Sequence, residues 1–204
     1  NATKGIYFTP ILAAAHDSSL FMFRTGETAS SELEAMAEGG AISGLSSLIA
    51  NAGGVVVEDP ATGILDPGVA TTFDIDTGNL AYLSLGAMLL PTNDGFVGLN
   101  SWKIPQEAGT YMFYLNAYDA GTEANDELLS ATGGAPNNAG MPNPPPLMNN
   151  NTGGTGVTTT EANAYVHVHR GNLGDDNPTG GKSDLDNTVH RWLNPVAKVT
   201  VVVK

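Results

Sequence analysis

The side chains best placed to do chemistry are the acids of Thr92-Asn-Asp-Gly-Phe-Val-Gly98 and Asp119-Ala-Gly-Thr-Glu123. Each stretch closes an apolar run with strand character, Leu80 to Leu90 and Tyr111 to Tyr118. Two such acidic loops at one end of a β-sandwich would gather carboxylates, which is how a hard cation such as calcium is held. The competing reading is turn chemistry, because Asn-Asp-Gly and Asp-Ala-Gly form turns without any metal.

Histidines offer a second chemistry. Three of the four lie close together, as His167-Val-His169 and His190. In an extended strand residues i and i+2 share a face, so Tyr165, His167 and His169 line one side. His190-Arg-Trp192 repeats the spacing with an imidazole and an indole, and His16 is a remaining contributor. With no cysteine in the chain, such a cluster suits zinc, copper or nickel, with copper favoured by intrinsic affinity. The competing reading has His167 and His169 bonded to the Gly171–Gly181 loop while Trp192 fills the core.

These residues must be positioned mainly by strands. Alternation and β-branched residues predict them near Gly5–Phe8, Leu20–Phe23, Val55–Val57, Thr71–Ile75, Leu80–Leu90, Tyr111–Tyr118, Ala164–His169 and Val196–Val203. Ser30–Ala50 instead shows helical spacing, with Ser30 or Ser31 as cap and Gly39-Gly40 splitting it into two short helices. A Pro/Asn/Gly-rich stretch, about 133–156, reads as a long irregular loop, and Gly171–Asp186 as a second polar excursion. Met22, Met36, Met88 and Met112 read as core, Met141 and Met148 as loop.

With 204 residues and 41% apolar content, the chain is expected to fold as one domain, 1–204, carrying that loop insertion. A net charge of −13 repels phosphate backbones, so nucleic acid is not an expected partner and cations are. No run is long enough for a membrane span. The start at Asn1, without a Met or an apolar leader, suits a secreted or outer-surface protein whose signal peptide has been removed.

Phe8-Thr9-Pro10, His16, Gly26-Glu-Thr-Ala-Ser30, Glu34-x-x-Ala-Glu-Gly39, Ser84-x-x-x-Met88, Asn93-Asp-Gly-Phe-Val-Gly98, Asp119-Ala-Gly-Thr122 and Pro195-Val-Ala-Lys-Val199 occur in this order. The set resembles the amino-terminal domain of spondins. The resemblance implies a two-sheet antiparallel β-sandwich with one or two short helices and long irregular loops, binding calcium at loops on one edge. It carries Asp94 and Asp119 into the calcium site, with Glu123 where members often have Asp. Asp74 or Asp76 competes for a further acidic position. Animal members usually have Trp after the first acid and cysteines nearby, so Gly95 and the absence of cysteine suggest a bacterial member. In that family a first strand precedes the Asn-x-Thr seen here as Asn1-Ala-Thr3; it is absent or supplied differently. The His-Trp pairing is similar in part to surface copper proteins of methane-oxidising bacteria, where two histidines and a kynurenine surround Cu(I), although the order there is Trp-x-His.

No Gly-x-Ser-x-Gly, His-Glu-x-x-His or phosphate-cradling loop occurs, and an enzyme is not expected. The expected function is a secreted or cell-surface metal-binding protein. It would hold structural calcium at Asp94, Asp119 and Glu123 and copper at His167, His169, His190 and Trp192. The alternative is an adhesion module that uses calcium to shape loops recognising a surface glycan or protein.

Overall fold

The computed structural model describes residues 1–130, 138–143, 151–160 and 163–204. Much of the expected loop insertion, including Pro144 to Pro146 and Met148, lies outside the described residues.

Helix α1 (Ser31–Gly39) begins where the Ser30 hydroxyl accepts the Leu33 N–H at 3.2 Å, and ends where Gly40 takes a left-handed φ of 68°. Helix α2 (Ser43–Asn51) follows at once. The remaining elements are strands: β1 (Tyr7–Phe8), β2 (Leu12–His16), β3 (Val55–Glu58), β4 (Tyr82–Leu90), β5 (Gly95–Lys103), β6 (Gly109–Asp119), β7 (Leu129–Ser130), β8 (Met141–Pro142), β9 (His167–Val168) and β10 (Ala197–Val203). The large sheet runs β10-β6-β5-β4-β2-β3, with β1 on β4 and β9 on β6, and all of its pairings are antiparallel. The small β7–β8 pair is parallel, where antiparallel pairing was expected.

Long strands change partners midway, which curls the large sheet as a half-barrel. Strand β6 bonds β10 through Gly109–Leu115 but β5 only through Asn116–Asp119. Likewise β4 bonds β2 through its first half and β1 through Leu89–Leu90. One apolar cluster, including Ile6, Leu89, Val97 and Trp192, packs against partly buried Phe113 and Val199. A second joins Leu12, Phe96 and Val166 to Leu33, Met36 and Ile49 of the helices. The fold is therefore mainly β and sandwich-like, as expected.

Strands β2, β5, β7 and β8 were not expected, and the two longer ones were missed for packing reasons. All five residues of β2 are buried, so small alanines replace the alternation of a half-exposed strand. In β5, glycines stand where larger residues do not fit: a Cβ on Gly98 would lie 2.6 Å from the Phe23 ring, and one on Gly95 2.7 Å from Thr92 Oγ1. Thr92–Gly98 is thus a tight turn followed by strand rather than one loop.

Other expectations need correction. Leu20–Phe23 and Thr71–Ile75 form no strand, and Ala164–His169 contributes only His167–Val168. Met141 is fully buried against Leu129 and Leu185, whereas Met112 is exposed on the outer side of β6.

Candidate functional site

Strand pairing brings the two acidic stretches together. Gly95 stands opposite Asp119 where β5 begins and β6 ends, and the Ala120 N–H donates to the Asp94 carbonyl at 3.1 Å. Both carboxylates are buried and turn onto the same loop. Asp94 Oδ2 accepts from the Thr122 N–H at 2.8 Å and the Glu123 N–H at 3.2 Å. Asp119 Oδ1 accepts from the Gly121 N–H at 2.9 Å, and its Oδ2 from the Asn125 amide at 2.7 Å. A carboxylate has about four lone-pair directions, so the two bonds on Asp119 leave room there for a ligated cation.

Glu123 completes the apex. Its Oε1 accepts the Gly140 N–H at 2.8 Å, while its buried Oε2 has no hydrogen-bond partner. Burial pushes its carboxyl up to about 7; the Gly140 N–H and the nearby Asn93 amide oppose this, and the nearby Glu38 and Asp126 charges add to it. An orphaned buried carboxylate oxygen is the atom a cation would satisfy. Among the described residues, however, no three His, Asp or Glu side chains are grouped closely enough to hold a metal as they stand. Asp94, Asp119 and Glu123 share an apex without forming a closed ligand set.

Sequence reasoning missed the acids behind this apex. Glu127 Oε1 accepts the Leu173 N–H, and its Oε2 accepts the Gly174 N–H at 2.8 Å and the Ser183 hydroxyl at 2.6 Å. Asp184 takes N–H groups from Leu129, Thr152 and Gly154. Asp126 receives the Asn93 amide and the Leu128 N–H. N–H groups of Ser183, Asn177 and Lys182 hold the exposed Asp175 carboxyl below its ordinary range. The abundant acids thus pin long loops by accepting backbone N–H groups. Arg24–Glu27 and Lys204–Asp74, the pairs of acid with Arg or Lys among the described residues, are both exposed. A run such as Asn125-Asp-Glu127 hints at acceptors, but its donors are distant in sequence.

The alternative acids lie elsewhere. Asp74 Oδ1 takes the Lys204 ammonium at 2.9 Å. Lys204 follows Val203, which pairs with Gly109 at the far end of β6, about 30 Å along the strand from Asp119. Asp76 caps its own turn through the Gly78 N–H. Neither joins the apex.

The histidines divide. His167, opposite Asp119, directs Nδ1 to the Tyr165 carbonyl at 2.8 Å, and its Nε2 lies 3.7 Å from Asp119 Oδ2. His169 is buried, and its Nδ1 accepts the Gly171 N–H at 3.0 Å. Its ring packs 5.0 Å from that of Trp192. Burial pulls the His169 imidazole down to about 4, against the attraction of Asp119. The expected single face fails, because Tyr165 is exposed while His169 is buried. His190 sits elsewhere: its Nδ1 accepts the Asp186 N–H at 3.1 Å, and burial lowers its pKa against the pull of the Asp186 and Glu127 charges. His16 uses both nitrogens, on the Asp17 carbonyl and the Ser84 hydroxyl, each at 2.7 Å.

Tautomers inferred from these bonds decide what the cluster can ligate. A ring whose Nδ1 accepts an N–H carries its proton on Nε2 when neutral, so His169 and His190 present donors there. Only His167, with Nδ1–H on a carbonyl, offers a free Nε2 lone pair. The Nε1–H of Trp192 is buried without a partner, as is His169 Nε2. This donor-rich set does not fit the copper ligand group expected from His167, His169, His190 and Trp192.

A curled antiparallel sandwich with acidic loops tied at one edge is the architecture implied by the resemblance. The sequence profile of the Spondin_N family matches residues 2–142. The chain belongs to that family, an extracellular-type domain. Asp94, Asp119 and Glu123 lie inside the matched span, whereas His167, His169, His190 and Pro195–Val199 lie beyond it. No curated protein matches the chain. Among the described residues, no helix is long and apolar enough to cross a membrane.

Proposed function

We propose that this chain is a secreted or surface-displayed binding module that takes up calcium at the apex formed by Asp94, Asp119 and Glu123. One observation carries the reading: carboxylates from separate loops converge beside Glu123, whose Oε2 is buried without a partner. A divalent ion would neutralise their mutual repulsion, with backbone carbonyls and water completing a shell of 6–8 oxygens. Its role is structural, fixing the Asp119–Asn125 loop. A binding rather than catalytic role is supported by the way Asp94 and Asp119 use their oxygens on loop N–H groups.

Chelator should lower the melting temperature and added calcium restore it by linkage; in Asp119→Ala the response should vanish. A melting curve that ignores both chelator and calcium would overturn the calcium reading and leave loop anchoring as the role of these acids. Elemental analysis of protein from its native source tests copper at the same time. Stoichiometric copper there would require His169 to give up its bond from Gly171.

A further inference from the structure

Strands β5 and β6 bond each other only through Gly95–Gly98 and Asn116–Asp119; beyond that point β5 stays with β4 and β6 with β10. The two strands therefore part. Where they do, against residues 23–27, lies a hollow of about 500 Å³ whose lining includes Phe23, Arg24, Glu27, Asn100, Tyr114 and Asn116. That volume is in the range of small-ligand sites.

Its walls are fixed before any ligand arrives. The Phe23 ring lies across Gly98, against Phe96 and Tyr118 with ring centroids 5.0 and 4.8 Å away. Asn100 Oδ1 accepts the Met22 N–H at 2.9 Å, while the Gly26 N–H donates to the Val166 carbonyl and the Val166 N–H to the Glu27 carbonyl, each at 2.8 Å. A loop tied in this way spares a ligand the cost of ordering it.

Charge singles the hollow out. The chain has eight Lys and Arg residues against 21 acids, yet three of the eight gather around it. Arg24 lines it, with the guanidinium 3.6 Å over the Phe21 ring. Lys198 stands opposite Tyr114, and both are exposed. Arg170 is exposed two residues beyond Val168, which stands opposite Tyr118. Glu27 is the one acid among the lining residues, and it meets Arg24 Nη1 only at 3.5 Å, with both side chains about half exposed. Such a pair is weak and gives way to a better-placed anion.

The remaining chemistry narrows that anion. A guanidinium presents a planar fork that matches a carboxylate. The Tyr114 ring is 61% exposed, and the negative face of a bare ring suits the C–H face of a sugar. The amides of Asn100 and Asn116 suit sugar hydroxyls. Nucleic acid is repelled by the net charge of −13.

We propose that this hollow binds an acidic sugar, a hexuronate unit of a polysaccharide, with its carboxylate on Arg24 and its ring face on Tyr114. Arg170 and Lys198 flank the hollow and attract the carboxylates of neighbouring units. Tyr118 and Asp119 project to opposite faces of β6, so the sugar site is separate from the calcium apex and does not depend on it.

The test uses the whole chain in chelator, below its melting transition, because uronates themselves bind calcium. The probes are trigalacturonate and trimannuronate, with the methyl ester of trigalacturonate as the uncharged control, read by backbone amide shifts. At least one acidic trimer should give saturable shifts centred on 23–27, 98–100 and 114–118, and should bind at least tenfold more tightly than the ester. Arg24→Gln should weaken binding at least tenfold and Tyr114→Ala several-fold, both at unchanged melting temperature; Glu27→Gln, which releases the guanidinium, should tighten it. The proposal is overturned if neither trimer saturates at millimolar concentration, if the ester binds equally well, or if Arg24→Gln binds like the native chain. A response of these residues to phosphatidylserine vesicles but to neither trimer would also overturn it and assign the face to a membrane.

Discussion

Glu123→Gln tests the apex through its proton. Burial raises this carboxyl from 4.5 to about 7, worth about 3 kcal/mol at about 1.4 kcal/mol per pH unit. Because the side chain is partly exposed, solvent screening brings this to about 1–2 kcal/mol. The sign follows from the raised pKa: the folded state holds a proton that the unfolded state has released. In chelator, stability is therefore greatest below about 4.5 and is lost as pH rises to about 7. His169 works in the opposite direction, since its imidazole is pulled down to about 4 and stability is lost as pH falls below about 6.5. Subtracting the variant from the native chain removes the histidine contribution. Urea unfolding in chelator between pH 5 and 8 should give the native chain an additional loss of about 1–2 kcal/mol relative to Glu123→Gln. With calcium present the difference should reverse, because the ion competes with the proton for the native carboxylate and the amide is a poorer ligand. Parallel pH profiles in chelator would refute the assignment of this proton to Glu123.

Removing the Glu127 carboxylate orphans the Leu173 and Gly174 N–H groups and the Ser183 hydroxyl. Glu127→Ala should cost about 2–4 kcal/mol by chemical denaturation, with amide exchange accelerating first around 171–186; a loss below about 0.5 kcal/mol would show that the carboxylate does not anchor this loop. Gly98→Ala places a methyl against the Phe23 ring and should destabilise by about 1–3 kcal/mol, read as a lower urea midpoint at unchanged slope. A neutral result would mean that the ring moves aside freely.

Much was legible because it was local. Ser30, the split at Gly39-Gly40 and the alternation of β10 announce their elements through capping, backbone freedom and side-chain period. The ordered acidic motifs pointed to the family and placed Asp94 and Asp119 at one edge. Of the inner strands, β4 and β6 were legible but β2 and β5 were not, since the latter owe their composition to neighbours packed on both faces. Thr71–Ile75 was half legible: its alternation is real, but a strand also needs a bonded partner, which periodicity cannot reveal.

The sequence by itself determined the charge balance, the oxygen and imidazole ligand inventory, and the turn chemistry that ends β6 at Asp119. Tertiary structure alone decided where each acid's oxygens went, because the N–H groups that meet Glu127 and Asp184 come from loops remote in the chain. It also separated His190 from His167 and assigned the ring protons, since a tautomer depends on the group each nitrogen meets after folding. Residue type sets what a side chain can donate or accept, but only packing selects its partner.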